Sequence, residues 1–319
     1  MNQSENITTQ TLPQLALPPF LRGSLAFLLM LLNTIFWCVP LYIIAFLKLL
    51  IPIPAWRNGC TQILVRIAQN WIDGNNRIFR LARHTEWIVE GVHDLQEDEW
   101  YLLAANHQSW LDIFVLQKVF NRRIPFLKFF LKQELIWFPF LGIAWWALDF
   151  PFMKRYSREF QEKHPELRGK DLETTRKMCA RFQHYPVSII NFLEGTRFCA
   201  EKRDEQNVPF RHLLKPKAGG IATALAVMNE RMRTLLNVTI VYPNGKASFW
   251  EFLCGQTPRI IVHVEKLTVP QRFLRGDYLN DANYREQFQT WVWKMWEQKD
   301  ALLNSYITTY EQASPHQSS

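Results

Sequence analysis

Two side chains in this chain are spaced so that an acid–base reaction becomes conceivable. His107 and Asp112 stand in the run Asn106-His107-Gln108-Ser109-Trp110-Leu111-Asp112. A carboxylate that holds one imidazole nitrogen leaves the other free to take a proton from a hydroxyl, which is general-base chemistry. On a helix turning roughly 100° per residue, positions five apart point about 140° away from each other. The pair therefore meets only if His107 lies in a non-helical lead-in and Asp112 in the helix that follows. The neighbours agree with that division. Tyr101 to Ala105 is an apolar run that reads as a buried strand, and Trp110 to Phe120 carries apolar residues at helical spacing. The loop between them would sit at the mouth of a strand, where α/β folds place their chemistry. Taken alone, the same spacing also describes an ordinary loop histidine.

A second cluster follows another apolar run. Val187 to Leu193 reads as a strand and ends in Glu194-Gly195-Thr196-Arg197. Gly195 allows a tight turn whose amides can face an anion. Arg197 offers a planar fork that matches phosphate oxygens, and Thr196 adds a hydroxyl. Glu194 is placed to orient Arg197 or to accept from a substrate hydroxyl. On its own the cluster is equally an ordinary turn with a surface ion pair. Ser109 and Cys199 are rival nucleophiles, read here as structural. A serine hydrolase would carry its serine in a Gly-x-Ser-x-Gly turn, which is absent. The five cysteines are odd in number and include no Cys-x-x-Cys pair, so neither a disulfide framework nor a zinc site is expected.

The rest of the chain must position these clusters. Its 319 residues suffice for one large α/β domain with an appendage. The net charge of +8 points to an anionic partner, and the absence of a nucleic-acid signature favours lipid or a phosphorylated substrate. Residues 1–22 read as a loose tail. Gly23 to Leu47 carries no charge and is bounded by Arg22 and Lys48, which is long enough for the roughly 20 apolar residues of a bilayer-crossing helix. It is too long for the apolar core of a signal peptide, and no small-residue cleavage site follows. A retained anchor over residues 23–56 is expected, bent at Asn33 and Pro40, either spanning once or forming a helix pair that dips into one leaflet. Lys48, Arg57, Arg66, Arg77, Arg80 and Arg83 follow it, so a single span would leave the remainder in the cytoplasm. Further elements are expected as a helix at 58–82, a strand at Trp87–Val92, a polar loop at 198–211, a helix at Ile221–Met228, strands at Leu236–Tyr242 and Arg259–Val264, and a helix at 283–309. Residues 125–152 are aromatic-rich but hold Lys128, Lys132 and Glu134, and read as surface-dipping and acyl-lining rather than spanning. Residues 154–177 read as a charged, solvent-facing insert.

Together the two clusters resemble the glycerolipid acyltransferase family, most closely its 1-acylglycerol-3-phosphate acyltransferases. The resemblance covers about residues 86–243 and includes weaker blocks at Phe152-Met153-Lys154-Arg155, Val238–Pro243, Lys132–Leu135 and Lys215–Gly219. One departure is Leu193, where the family usually has proline. The family implies a mixed α/β sheet flanked by helices, a membrane-bound enzyme domain over residues 57–311, and a short tail at 312–319. It implies His107 as base and Asp112 as its partner. Glu194, Gly195, Thr196, Arg197, Lys132 and Arg155 are implied to bind substrate. The donor would be acyl-CoA or acyl carrier protein and the acceptor a lysophospholipid, with no metal, cofactor or nucleic acid required.

Overall fold

The structure is a computed structural model that describes residues 5–6, 17–80, 85–153, 185–245 and 247–312, with isolated positions between 154 and 184. The charged insert expected at 154–177, which includes Arg155, lies outside the continuous described stretches.

The chain enters through two long helices. Helix α1 (Pro19–Leu50) runs unbroken through Pro40, and α2 (Pro54–Phe79) returns along it. Asn33 near the middle of α1 donates to the Trp71 carbonyl and to Asn75 Oδ1, both at 2.9 Å, and Trp71 Nε1 donates to Thr34 Oγ1 at 3.0 Å. These polar bonds pair the helices at mid-length, so the boundary expected after residue 56 falls inside α2. The N-terminal segment is not wholly loose. Strand β1 (Glu5–Asn6) pairs antiparallel with β2 (Glu86–Glu90). Backbone pairing at a sheet edge needs no apolar side chain, so composition does not reveal it.

The remaining strands are β3 (Tyr101–Ala105), β4 (Leu127–Phe129), β5 (Leu131–Lys132), β6 (Phe152–Met153), β7 (Ser188–Phe192), β8 (Thr234–Val241) and β9 (Arg259–Thr268). A seven-stranded mixed sheet has the order β1-β2-β9-β8-β3-β7-β4, and β5 and β6 form a separate ribbon. At its centre β7, β3 and β8 are parallel, with Ala105 opposite Phe192 on one side and Val238 on the other. Their carboxyl ends therefore open at the same edge, and both sequence clusters emerge there.

Helices cover both faces, which explains why every residue of β3 is buried. Leu103 and Ala105 face a core shared with α1, α2, α3 (Leu111–Phe120) and α4 (Leu141–Ala147). Leu102 and Ala104 face the opposite core. That second core is built by two helices further along the chain. After α5 (Ala200–Gln206) come α6 (Gly219–Met228), α7 (Phe249–Leu253) and the long C-terminal α8 (Ala282–Gln312). The second core draws on α6 and on the α8 stripe of Phe288, Val292, Met295, Trp296 and Leu303. Helix α5 corrects the expected loop at 198–211. Its sequence Ala-Glu-Lys-Arg-Asp-Glu-Gln is rich in helix formers but has no apolar periodicity to announce it.

Candidate active site

The His107 loop is held where the sheet ends. Asn106 is buried, and its side chain donates to the Ile240 carbonyl and accepts from the Ile240 amide, both at 2.9 Å. It thus imitates one more residue of ladder pairing with β8, and the chain departs from the sheet at His107. Asp112, in the first turn of α3 and fully buried, reaches back to that loop. Its Oδ2 accepts from the amides of Gln108 (2.6 Å) and Ser109 (2.9 Å) and lies 2.8 Å from His107 Nδ1. Its Oδ1 accepts from the hydroxyl of Tyr242 at 2.7 Å.

With an ionised carboxylate on that side, Nδ1 carries the ring proton and Nε2 is left with a lone pair. Nε2 makes no hydrogen bond among the described residues. The ring stacks on Phe192, with centroids 4.0 Å apart and planes 18° apart, and the side chain is 16% exposed. The imidazole is therefore confined on one face and open at its working nitrogen.

The second cluster folds directly over this loop. The Phe198 amide donates to the His107 carbonyl at 2.7 Å, and the His107 amide donates to Glu194 Oε1 at 3.0 Å. The other Glu194 oxygen accepts from the Leu214 amide at 3.3 Å. Glu194 is buried, and desolvation raises its carboxyl to about 8, against the opposing pull of the two amides. Its expected role is thereby corrected. Both its oxygens accept from backbone amides, and no bond joins it to Arg197 among the described residues; it ties the two turns together. Gly195 adopts φ +68°, and a Cβ there would sit 3.1 Å from Lys217 Nζ.

Arg197 is exposed and lies over the Trp110 ring, its guanidinium carbon 5.0 Å from the centroid. Trp110 is itself 54% exposed and belongs to the His107 loop. The stacked plane leaves the N–H edge of the arginine available to an anion. Thr196 Oγ1 accepts from Lys202 Nζ at 2.8 Å. The positive charge at the turn thus includes Lys202 and Lys217, neither of them a site residue expected from the sequence. Lys132 is exposed on β5, whose partner residue is Met153, and no bond ties it to the His107 loop among the described residues.

Ser109 is buried, with its Oγ accepting from the Leu111 amide at 3.2 Å, so it shapes the start of α3 instead of presenting a nucleophile. All five cysteines are unpaired. Leu193 donates its amide to the Ala105 carbonyl at 3.3 Å, a bond that a proline at this position lacks. The Pro-to-Leu departure therefore adds a tie between β7 and β3 and leaves the charged turn in place.

A histidine backed by a buried carboxylate, with Nε2 unbonded among the described residues and a basic turn beside it at the ends of parallel strands, is equipped to take a proton near an anion. The acyltransferase family model matches residues 86–243, the segment that holds both clusters. Over that segment the chain matches the acyltransferase family. It is 24% identical over 249 residues to the 2-acyl-1-lysophosphatidylinositol acyltransferase of Saccharomyces cerevisiae, covering 64% of this chain and 61% of that protein. It is 26% identical over 186 residues to 1-acyl-sn-glycerol-3-phosphate acyltransferase gamma of Mus musculus, covering 55% of this chain and 44% of that protein. The chain thus spans less than two thirds of the length of either relative. The crystal structure of the 1-acyl-sn-glycerophosphate acyltransferase PlsC from Thermotoga maritima superposes with a TM-score of 0.51 at 17% identity, covering 88% of this chain and 98% of that one. That agreement places the fold among known architectures.

Proposed function

We propose that the protein transfers a fatty acyl group from an acyl thioester to the free hydroxyl of a lysophospholipid, with 1-acylglycerol 3-phosphate as acceptor and phosphatidic acid as product. The reading rests on the His107 Nδ1–Asp112 contact of 2.8 Å, which leaves Nε2 as the open base. His107 Nε2 takes the acceptor proton as the oxygen attacks the thioester carbonyl. The C–S bond breaks, and the thiolate leaves and takes that proton. Asp112 stabilises the imidazolium formed between the two events. Arg197, on its Trp110 platform, holds the acceptor phosphate, with Lys202 and Lys217 adding positive charge. Coenzyme A and acyl carrier protein both present an anionic phosphopantetheine thioester that this charge suits.

The reading extends to the membrane. Helix α1 is long and apolar enough to cross one, and its outward side chains, among them Phe27, Phe36 and Phe46, are exposed. Yet α1 is bonded at mid-length to α2, which carries Arg57, Arg66, Asp73 and Arg77. A crossing α1 would take those charges into the hydrocarbon. The pair is better suited to one leaflet, outer face down, with the acyl chain of the acceptor delivered from the same side.

The test is acyl transfer by the purified protein with labelled lysolipids. His107→Ala loses at least about 10²-fold, the usual contribution of general-base catalysis. Arg197→Ala raises half-saturation for the acceptor more than for the donor. Equal turnover of wild type and His107→Ala overturns the mechanism. Better use of lysophosphatidylinositol, the acceptor class named for the yeast relative, reassigns the headgroup. Product without any lysolipid reassigns the reaction to thioester hydrolysis.

A further inference from the structure

A second cavity lies where α1 gives way to α2. Its volume is about 420 Å³, within the range of small-molecule sites. The end of α1 supplies Lys48 and Leu49, the first turn of α2 supplies Arg57, and the segment from α4 to β6 supplies Trp146, Asp149 and Phe152. No residue of the His107 loop or of the Glu194–Arg197 turn lines it. The walls are tied to one another. Trp56 Nε1 donates to the Leu47 carbonyl at 3.0 Å, which holds the first turn of α2 against the last turn of α1. Lys48 bonds the Ala147 carbonyl at 3.1 Å and pairs with Asp149 at 2.9 Å, which holds α1 to the opposite wall.

Arg57 is the residue here that the fold does not explain. A cation is disfavoured in the first turn of a helix, where the dipole is positive, and α2 has no acidic residue in that turn to offset it. The side chain is exposed, and its guanidinium makes no hydrogen bond or ion pair among the described residues. Lys48 and Asp149 compensate each other, so Arg57 supplies the net charge of the cavity. Neither packing nor helix stability calls for an arginine at this position, whereas a bound anion does. The rim says which kind of anion. Leu49 is 54% exposed and Trp146 46%, and Leu50 and Ile53 beside them are exposed too. An arginine set in an apolar, tryptophan-bearing rim suits a charged headgroup that carries chains, more than a free ion.

We propose that this cavity binds the phosphodiester headgroup of an anionic membrane phospholipid, whose chains run over Leu49 and Trp146 into the leaflet that α1 meets. The proposal rests on the placement of α1 in one leaflet and not on the acyl-transfer chemistry. The planar fork of Arg57 holds two phosphate oxygens at once. One net positive charge matches the single negative charge of a phosphodiester. A phosphomonoester carries roughly −1.5 to −2 near neutral pH and is better served at Arg197, where Lys202 and Lys217 gather. The cavity is therefore a seat for a resident lipid, separate from the acceptor, and it fixes the turn of the helix pair at headgroup depth.

The experiment is calorimetric titration of the purified full chain with dihexanoyl phosphatidylglycerol, kept below its micellar concentration, with circular dichroism recorded for each variant. Arg57→Gln is expected to weaken binding at least about tenfold, the usual contribution of a charge-assisted hydrogen bond. Leu49→Asp sets a carboxylate at the mouth and is expected to weaken it by a similar factor. Arg231, exposed in the connection before β8, lies outside the cavity, so Arg231→Gln removes the same charge and should bind as wild type. His107→Ala should also bind as wild type, which separates failure of this site from failure of the catalytic reading. Equal weakening in Arg57→Gln and Arg231→Gln would reduce the effect to overall charge and overturn the proposal. So would inorganic phosphate binding as tightly as the lipid, which would mark a free-anion site. Displacement of phosphatidylglycerol by lower concentrations of lysophosphatidic acid would make the cavity the acceptor's own and overturn it as well. Should Arg57→Gln fail to fold, unchanged affinity in Leu49→Asp decides against it.

Discussion

Asp112 accepts four hydrogen bonds, three on one oxygen and one on the other. Three of those donors lie within five residues of it, but the Tyr242 hydroxyl comes from the end of β8, far along the chain. Tyr242 is buried, and desolvation together with the negative charge of Asp112 raises its phenol well above the ordinary value, so it remains a donor throughout the working range. Its bond fixes the carboxylate plane from the side opposite the imidazole. Tyr242→Phe keeps the ring and removes only that donor. We expect kcat to fall about tenfold with acceptor KM little changed, and stability to fall by about 1–3 kcal/mol for the acceptor oxygen left unpaired. Steady-state kinetics and denaturant unfolding check the two parts separately. Among individual residues, the sequence made His107, Asp112 and Arg197 legible because their spacing to strand ends is local. Tyr242 and Lys299 were not legible, since each bonds partners far away in the sequence, Asp112 for the one and the strands β3 and β8 for the other, by contacts that leave no local pattern. Glu194 was legible as part of the turn but not in role, because nothing in Glu-Gly-Thr-Arg tells whether the carboxylate turns outward to Arg197 or inward to the His107 amide.

Between elements, the decisive contact is the seam where the turn after β7 meets the loop after β3. The parallel register of β3 and β7 brings the two loops side by side, and Glu194 closes the seam from within. A carboxylate in that position has a pH signature in stability. Its folded value of about 8 lies above the ordinary 4.5 of a glutamate carboxyl. Between those values the native state holds a proton that the unfolded chain has already released, so unfolding free energy falls as pH rises. Replacement by glutamine removes this dependence. The stability of wild type relative to Glu194→Gln is therefore expected to be greatest near pH 4.5, to decline toward pH 8, and to level off above it. Denaturant midpoints of the two proteins across that range provide the comparison, and a difference that grows with pH would contradict the burial argument. At this scale the central strands were readable because apolar runs bounded by polar turns are what a doubly covered parallel strand requires. Helix α5 and strand β1 were not, the first lacking an apolar stripe and the second being two polar residues, Glu5 and Asn6.

For the molecule as a whole, exposed apolar surface gathers on α1 and on the segment that leads into α4. The outward face of α1 exposes Phe27, Phe36 and Phe46, and the segment that leads into α4 adds Trp137, 87% exposed, with Phe138 and Phe140. The two regions are joined. Tyr42 donates to the Phe140 carbonyl, and Lys48 bonds the Ala147 carbonyl at 3.1 Å and pairs with Asp149 at 2.9 Å. A monomer in water would not keep so large an apolar face uncovered, and aromatic residues with lysine and arginine at the rim are what a lipid interface selects. The expected span across the bilayer and the expected pair in one leaflet predict different topologies. With α1 lying in one leaflet, a tag before Pro19 and the catalytic domain lie on the same side of a sealed vesicle, and external protease cuts both or neither. With α1 crossing, protease separates them. The outer phenylalanines are exposed, so Phe36→Glu with Phe46→Glu should leave the fold intact, and far-ultraviolet circular dichroism with the unfolding midpoint checks that. Each buried phenylalanine contributes about 1.5–3 kcal/mol, so partitioning onto phosphatidylcholine–phosphatidic acid vesicles is expected to drop at least about a hundredfold in the double variant. Turnover of a short-chain, water-soluble acceptor should persist, while turnover of a vesicle-borne lysolipid falls with binding. Retained vesicle binding in the double variant would show that the apolar face of α1 is not what meets the lipid.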